Sequence, residues 1–150
     1  MRALRWLGIA LVLALVVVQL MPYGRRHTNP PARVEPRWDA PATRALALRA
    51  CYDCHSNETV WPWYSHVAPM SWLAERDVEE GRRKLNFSEW DRPQKEARES
   101  AKTVRKGEMP PWFYVLVRPA ARLTGAESQA LIAGLEATLG TKNGKKHDDD

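Results

Sequence analysis

The sequence predicts an all-α protein, and three observations carry that expectation. Apolar residues recur at helical spacing in several separate segments, while no two segments alternate and pair as strands would. The punctuation between segments is of the helix-bounding kind, with Thr124 before one segment and Gly140 after it, and Gly107 after another. Thirdly, Cys51, Cys54 and His55 have the i, i+3, i+4 spacing that puts three side chains on one helical face.

Taken in order, Arg2 and Arg5 precede an apolar run from Trp6 to Val18, continued by Gln19, Leu20 and Met21. A basic start and an apolar stretch mark an export signal. No small-x-small cleavage site follows, so residues 1–21 read as an uncleaved anchor, with a cleaved signal peptide as the alternative. The stretch from Trp6 to Met21 makes about 24 Å of helix, short of a ~30 Å hydrocarbon core unless Arg5, Trp6 and Tyr23 extend it. Residues 22–41 hold Pro22, Pro30, Pro31, Pro36 and Pro41 and read as an extended tether, with Trp38 docking its far end.

Residues 42–140 form the expected folded domain. Its first helix is capped by Thr43 and runs into the cysteine pair. A loop over 56–69 carries Trp61, Trp63, Tyr64 and His66. The segment 70–85 follows, with Met70, Leu73, Ala74, Val78 and Leu85 near one face. A third helix is expected from Ser88 or Asp91 to Lys106, each start offering a capping box, with Gly107 as its stop. The last helix starts at Thr124, whose capping-box partner is Glu127, and buries Leu131, Ile132, Leu135 and Leu139. Gly134 lets another helix approach closely, and the helix before the cysteine pair is the expected neighbour. Residues 141–150 end in Lys145-Lys146-His147-Asp148-Asp149-Asp150 and read as a disordered charged tail.

The bulk numbers exclude some classes. A net charge of +5, mixed with 18 acidic residues, is too small and too dispersed for a nucleic-acid surface. Both cysteines of the chain lie in one motif, which leaves none for a structural disulfide.

That motif is Cys51-Tyr52-Asp53-Cys54-His55. Two thiols on one helical face can add to the two vinyl groups of a haem, while the adjacent imidazole binds its iron. A thioredoxin-like pair needs a βαβ context, and a structural zinc needs four protein ligands; neither is visible. Trp61, Trp63, Tyr64, Trp72, Trp90 and Trp112 are available to wall a flat apolar cofactor or to reach its carboxylates, with ordinary core as the competing role. Arg118 reads as solvated rather than as a propionate partner.

Several blocks together resemble the bacterial haem-binding domain family: Asn29-Pro30-Pro31, Cys51 to Thr59, Trp61-Pro62-Trp63-Tyr64-Ser65, Ala68-Pro69 and Gly107-Glu108-Met109-Pro110-Pro111. The resemblance runs from about residue 29 to 139. It implies a class I cytochrome-c-like helical domain with one covalent haem in an exported protein.

Three residues compete for the sixth iron position. Met109 comes first, because its Gly-x-Met-Pro setting is similar to the distal-ligand loop of class I cytochromes c. His66 and Met70 follow, each with a plainer role in pocket or core. His27 and His147, in tether and tail, are not expected as ligands. The expected function is one-electron transfer by a monohaem c-type cytochrome at the periplasmic face of the inner membrane, and not an enzymatic one. Its expected partners are respiratory redox proteins and the cytochrome c maturation machinery. A sensor or peroxidase-like protein with a labile sixth ligand is the alternative.

Overall fold

Seven α-helices form among the described residues, 1–141, of the computed structural model: α1 Arg2–Val18, α2 Pro41–Ala50, α3 Tyr52–His55, α4 Met70–Lys84, α5 Ser100–Arg105, α6 Trp112–Val117 and α7 Gly125–Leu139. Short 3-10 turns lie at Trp63–His66, Ala97–Glu99 and Pro119–Ala121. Those residues contain no strand, only an isolated bridge between Val34 and Glu89. The tail beyond residue 141, His147 included, lies outside the described residues.

The core is built where α2, α5 and α7 meet. Ala47, Tyr52, Phe87, Ala101 and Val104 pack with Leu131, Ile132, Leu135 and Leu139, so all four apolar residues expected on α7 are buried. The Thr124–Glu127 capping box is formed in both directions, and Gly107 and Gly140 adopt φ of +71° and +76° at the ends of their helices. Gly134 brings α7 onto α2. A Cβ there would lie 2.8 Å from Thr43 Cβ and closer still to its hydroxyl. The expected neighbour is therefore the observed one.

Thr43 does not cap α2, however. Pro41 occupies the first turn behind an extended Ala40, and Thr43 is buried against α7. The third helix also starts later than expected, at Ser100. Its candidate caps are engaged elsewhere: Ser88 Oγ accepts from Asn57 N (3.0 Å), Asp91 pairs with Arg33, and Gln94 Oε1, the box partner of Asp91, accepts from Asn86 N (2.9 Å). These long-range bonds hold residues 85–96 as an irregular loop. On α4 the buried stripe is Ser71, Glu75, Val78 and Gly81, while Met70 and Leu73 are exposed. Of the expected apolar face, Val78 and Leu85 are packed, whereas Met70 and Leu73 are not. Small residues are buried because backbone comes close there, Gly24 against Ser71 and Cys54 against Gly81.

Residues 22–41 are extended but held along the domain. Asn29 Nδ2 donates to Thr59 O, Arg33 N and Val34 N both donate to Ser88 O, and Trp90 N donates to Val34 O. Trp38 packs on Phe87 and donates to Glu35, which also pairs with Arg44. The segment is a strap rather than a free tether. Ahead of it, α1 buries none of its 17 residues. No helix among the described residues is long and apolar enough to cross a membrane, so the expected anchor is without structural support.

Because Gly134 leaves no room for a methyl group, Gly134→Ala should lower stability by about 1–3 kcal/mol in denaturant unfolding. Thr43→Ala in the same chain should recover part of the loss, since it removes the nearest atoms. An unchanged midpoint for Gly134→Ala would mean the α2–α7 contact is loose.

Candidate functional site

Cys51 is the joint between two helices. Its N–H closes α2 on Ala47 O (2.8 Å), and its own carbonyl accepts from His55 N (2.9 Å) and Cys54 N (3.2 Å). One turn, α3, thus carries Cys54 and His55 directly above Cys51. Both cysteines are free and half-buried. Burial pushes both thiols up to about 12, which keeps them protonated at neutral pH.

His55 is oriented by α4. Its Nδ1 lies 3.1 Å from Gly81 O and 3.1 Å from Leu85 O. Carbonyl oxygens only accept, so Nδ1 carries the proton and Nε2 keeps its lone pair. Burial lowers the pKa of the ring, against the pull of the two carbonyls, and favours this neutral form. Gly81 makes the approach possible. A Cβ on it would lie 3.0 Å from the Cys54 carbonyl carbon and closer still to the oxygen.

A network then locks the turn from outside. Phe87 N donates to His55 O (2.7 Å), and Ser56 Oγ donates to Tyr52 O (2.7 Å). Arg82, next to Gly81, donates to Ser56 O (2.7 Å), Thr28 O (2.7 Å), Asn29 Oδ1 (2.9 Å) and Thr59 Oγ1 (2.8 Å). Asn86 Nδ2 donates to Asn57 Oδ1 (2.8 Å) in a buried pair. On the other side Asp53 accepts from Val60 N (3.1 Å), from the Tyr114 hydroxyl (2.6 Å) and from Arg118 Nε (2.9 Å). Burial and the bond to Asp53 raise the Tyr114 pKa.

The sequence-predicted residues fall into three groups. Cys51, Cys54 and His55 are brought together. Trp61 is half-buried, but His27 stacks on it at 4.5 Å and its N–H points to Asn29 Oδ1 (3.2 Å), so the strap holds it. Trp63 and Trp112 are strongly exposed, 79% and 74%, and Tyr64 meets Trp63 edge-on. Trp90 packs on the core. Met109 lies at the surface just past Gly107, and Met70 is exposed at the start of α4. His66 meets His27 edge-on at 4.3 Å, and His27 Nε2 is 2.8 Å from Ser65 O. Arg118, expected in solvent, pairs with Asp53.

Sequence reasoning missed Gly81, Arg82, Asn57, Asn86 and Asp53. Gly81 had a signal, because glycine inside a charged helix costs about 1 kcal/mol relative to alanine without a packing reason.

These features fit a covalently held haem. The imidazole presents one free nitrogen, two protonated thiols share its turn, and Met70, Leu73, Met109 and Trp112 leave apolar surface uncovered. The indole N–H of Trp72 is buried with no acceptor among the described residues.

The family model described as a haem-binding domain matches residues 13–137. No curated protein and no solved structure matches the chain.

Gly81→Ala should cost about 1–3 kcal/mol of stability through backbone overlap with Cys54, outweighing the ~1 kcal/mol helix gain of alanine. Chemical denaturation reads the balance. A variant more stable than wild type would show that α4 does not press on the cysteine turn.

Proposed function

The chain belongs to the haem-binding domain family, and we propose that it is a monohaem c-type cytochrome that transfers single electrons. The carrying observation is His55, whose Nδ1 is held by two backbone carbonyls on the same turn that presents two free thiols. When bound, the haem supplies a reversible Fe(III)/Fe(II) couple. Cys51 and Cys54 would hold the haem through two thioether links, each thiol supplying both its sulfur and its proton to one vinyl group. No external oxidant is needed. His55 offers Nε2 as the proximal ligand. Gly81 and Leu85, by accepting from Nδ1, fix its ring orientation and raise its basicity.

Met109 is the proposed sixth ligand. Gly107 ends α5 at a positive φ, Glu108 N returns to Thr103 O (3.0 Å), and Pro110 and Pro111 follow at once. A stiff loop suits a weak neutral thioether, because little ordering entropy opposes the bond. Thioether ligation raises the potential. Met109 is also 37% exposed, and that favours a second reading, a sensor or peroxidase-like protein whose sixth ligand dissociates. His66 and Met70 remain the competing ligands.

The proposed setting is the periplasmic face of the inner membrane, with α1 as anchor, respiratory redox proteins as partners and the cytochrome c maturation machinery as the source of haem attachment. The apolar residues of α1 behind Arg2 and Arg5, none of them buried, support the membrane contact.

Protein exported from a host with cytochrome c maturation should keep its haem through acidic-acetone extraction and stay with membranes after carbonate washing. Cys51→Ser with Cys54→Ser should release the haem. Free extraction from the wild type would refute covalent attachment, and a carbonate-soluble product would refute the anchor.

The oxidised protein should be low-spin with the weak near-infrared sulfur-to-iron band. Met109→Ala should lose that band and bind carbon monoxide when reduced, while Met70→Ala and His66→Ala keep the wild-type spectrum. Loss of the band in Met70→Ala alone would move the ligand there, and a spin change only in His66→Ala would mean a bis-histidine site. Fast carbon monoxide binding by the wild type would favour the sensor reading.

A further inference from the structure

Asp53 occupies the third position of the cysteine motif, between the two thiols, yet it points at neither. Its carboxylate collects three donors from three places. Oδ1 accepts from Val60 N (3.1 Å), and Oδ2 accepts from the Tyr114 hydroxyl (2.6 Å) and from Arg118 Nε (2.9 Å). Tyr114 lies in the middle of α6, and Arg118 caps its C-terminal end. Two of the three bonds therefore reach the same short helix, 61 residues from Asp53 in the case of Tyr114.

Helix α6 needs such a fastening. It buries none of its residues, and Trp112, Phe113, Leu116 and Val117 are all exposed. Among the described residues, the side-chain hydrogen bond and ion pair that join α6 and its cap to the rest of the domain both end on Asp53. Downstream, the turn Pro119–Ala121 seats the fully buried Ala121. Upstream, the N-cap of α6 is Pro111, directly behind Met109 and Pro110, and Val115 N closes the first turn on Pro111 O (3.1 Å). Whatever fixes α6 thus fixes the downstream end of the Met109 loop.

We propose that Asp53 is a positioning residue that clamps α6, through Tyr114 and Arg118, to the haem-attachment turn and so holds the Met109 loop in register with it. The inference rests on the electron-carrier reading above for what the loop does. The clamp itself is a feature of this chain's own geometry. The carboxylate of Asp53 matters because it offers two acceptor oxygens, one of which takes both the Tyr114 and the Arg118 donor. Charge-assisted hydrogen bonds of this kind are shorter and about twice as strong as neutral ones. Asparagine keeps one acceptor oxygen but loses the ion pair with Arg118. Alanine loses all three bonds.

The test uses the full chain exported with haem, as wild type, Asp53→Ala, Asp53→Asn and the double variant Tyr114→Phe, Arg118→Gln. Amide hydrogen exchange over residues 112–118 should accelerate in Asp53→Ala and in the double variant, and less in Asp53→Asn. Carbon monoxide binding to the reduced protein should quicken by roughly tenfold or more in the same order, as expected for losing a charge-assisted bond. The haem-to-protein ratio should not change, since both thiols and His55 are untouched. The double variant leaves the attachment turn intact, so it decides the matter if Asp53→Ala does not fold. Unchanged exchange over 112–118 would overturn the clamp. Faster exchange with an unchanged carbon monoxide rate would also overturn the proposal, because α6 would then be held without consequence for the iron. A wild type without covalent haem would refute the electron-carrier reading instead, and the exchange comparison on that protein would still decide whether Asp53 holds α6.

Discussion

The structure depends on one close approach, the backbone of α4 pressed against the backbone of the cysteine turn at Gly81. It does two things at once. It seats His55 against the carbonyls of Gly81 and Leu85, which makes Nδ1 the protonated nitrogen and leaves Nε2 as a donor for a metal. It also sets Arg82 where its guanidinium reaches both Ser56 O and the strap at Thr28 and Asn29. A larger residue at 81 would push α4 away and disturb both. The orientation of the imidazole is thus decided by a missing side chain some distance along the chain.

Around this contact the domain is tied by polar groups more than by a large apolar core. The buried cluster centred on Ala47, Phe87, Leu131 and Leu135 holds α2, α5 and α7 together. The cysteine turn, the loop 85–96 and the strap are joined by buried hydrogen bonds instead, among them Asn57 to Asn86 and Ser88 to Asn57. Networks of this kind specify one arrangement, because leaving any buried member unpaired costs about 1–3 kcal/mol. On the opposite side Asp53 does the same for α6. The cysteine turn is held from both flanks, by α4 and the strap on one and by α6 on the other.

What was legible in the sequence was local. The cysteine motif is readable because its i, i+3, i+4 spacing puts three side chains on one turn. The Thr124–Glu127 box and the glycine stops at 107 and 140 are readable because helix ends are decided within a few residues. Gly134 announced a close helix pair for a similar reason. The rest depends on partners far away in the chain. Ser88 and Asp91 looked like starts of a helix, but Asn57 and Arg33 engage them. The packed stripe of α4 joins Ser71, Glu75 and Gly81 to the expected Val78, and hydrophobic periodicity cannot find the first three because none of them carries an apolar side chain. The proline-rich segment read as a tether, yet its backbone bonds to Ser88 and Trp90 make it a strap.

The central claim is that the turn from Cys51 to His55 carries a haem through both cysteines. Mass spectrometry of the proteolytic peptide spanning that turn, from protein exported with cytochrome c maturation, tests it most directly. The account predicts one peptide carrying the mass of one haem, with both Cys51 and Cys54 unavailable to thiol reagents without any disulfide. A haem-free peptide with two reactive thiols, or with Cys51 joined to Cys54, would contradict it.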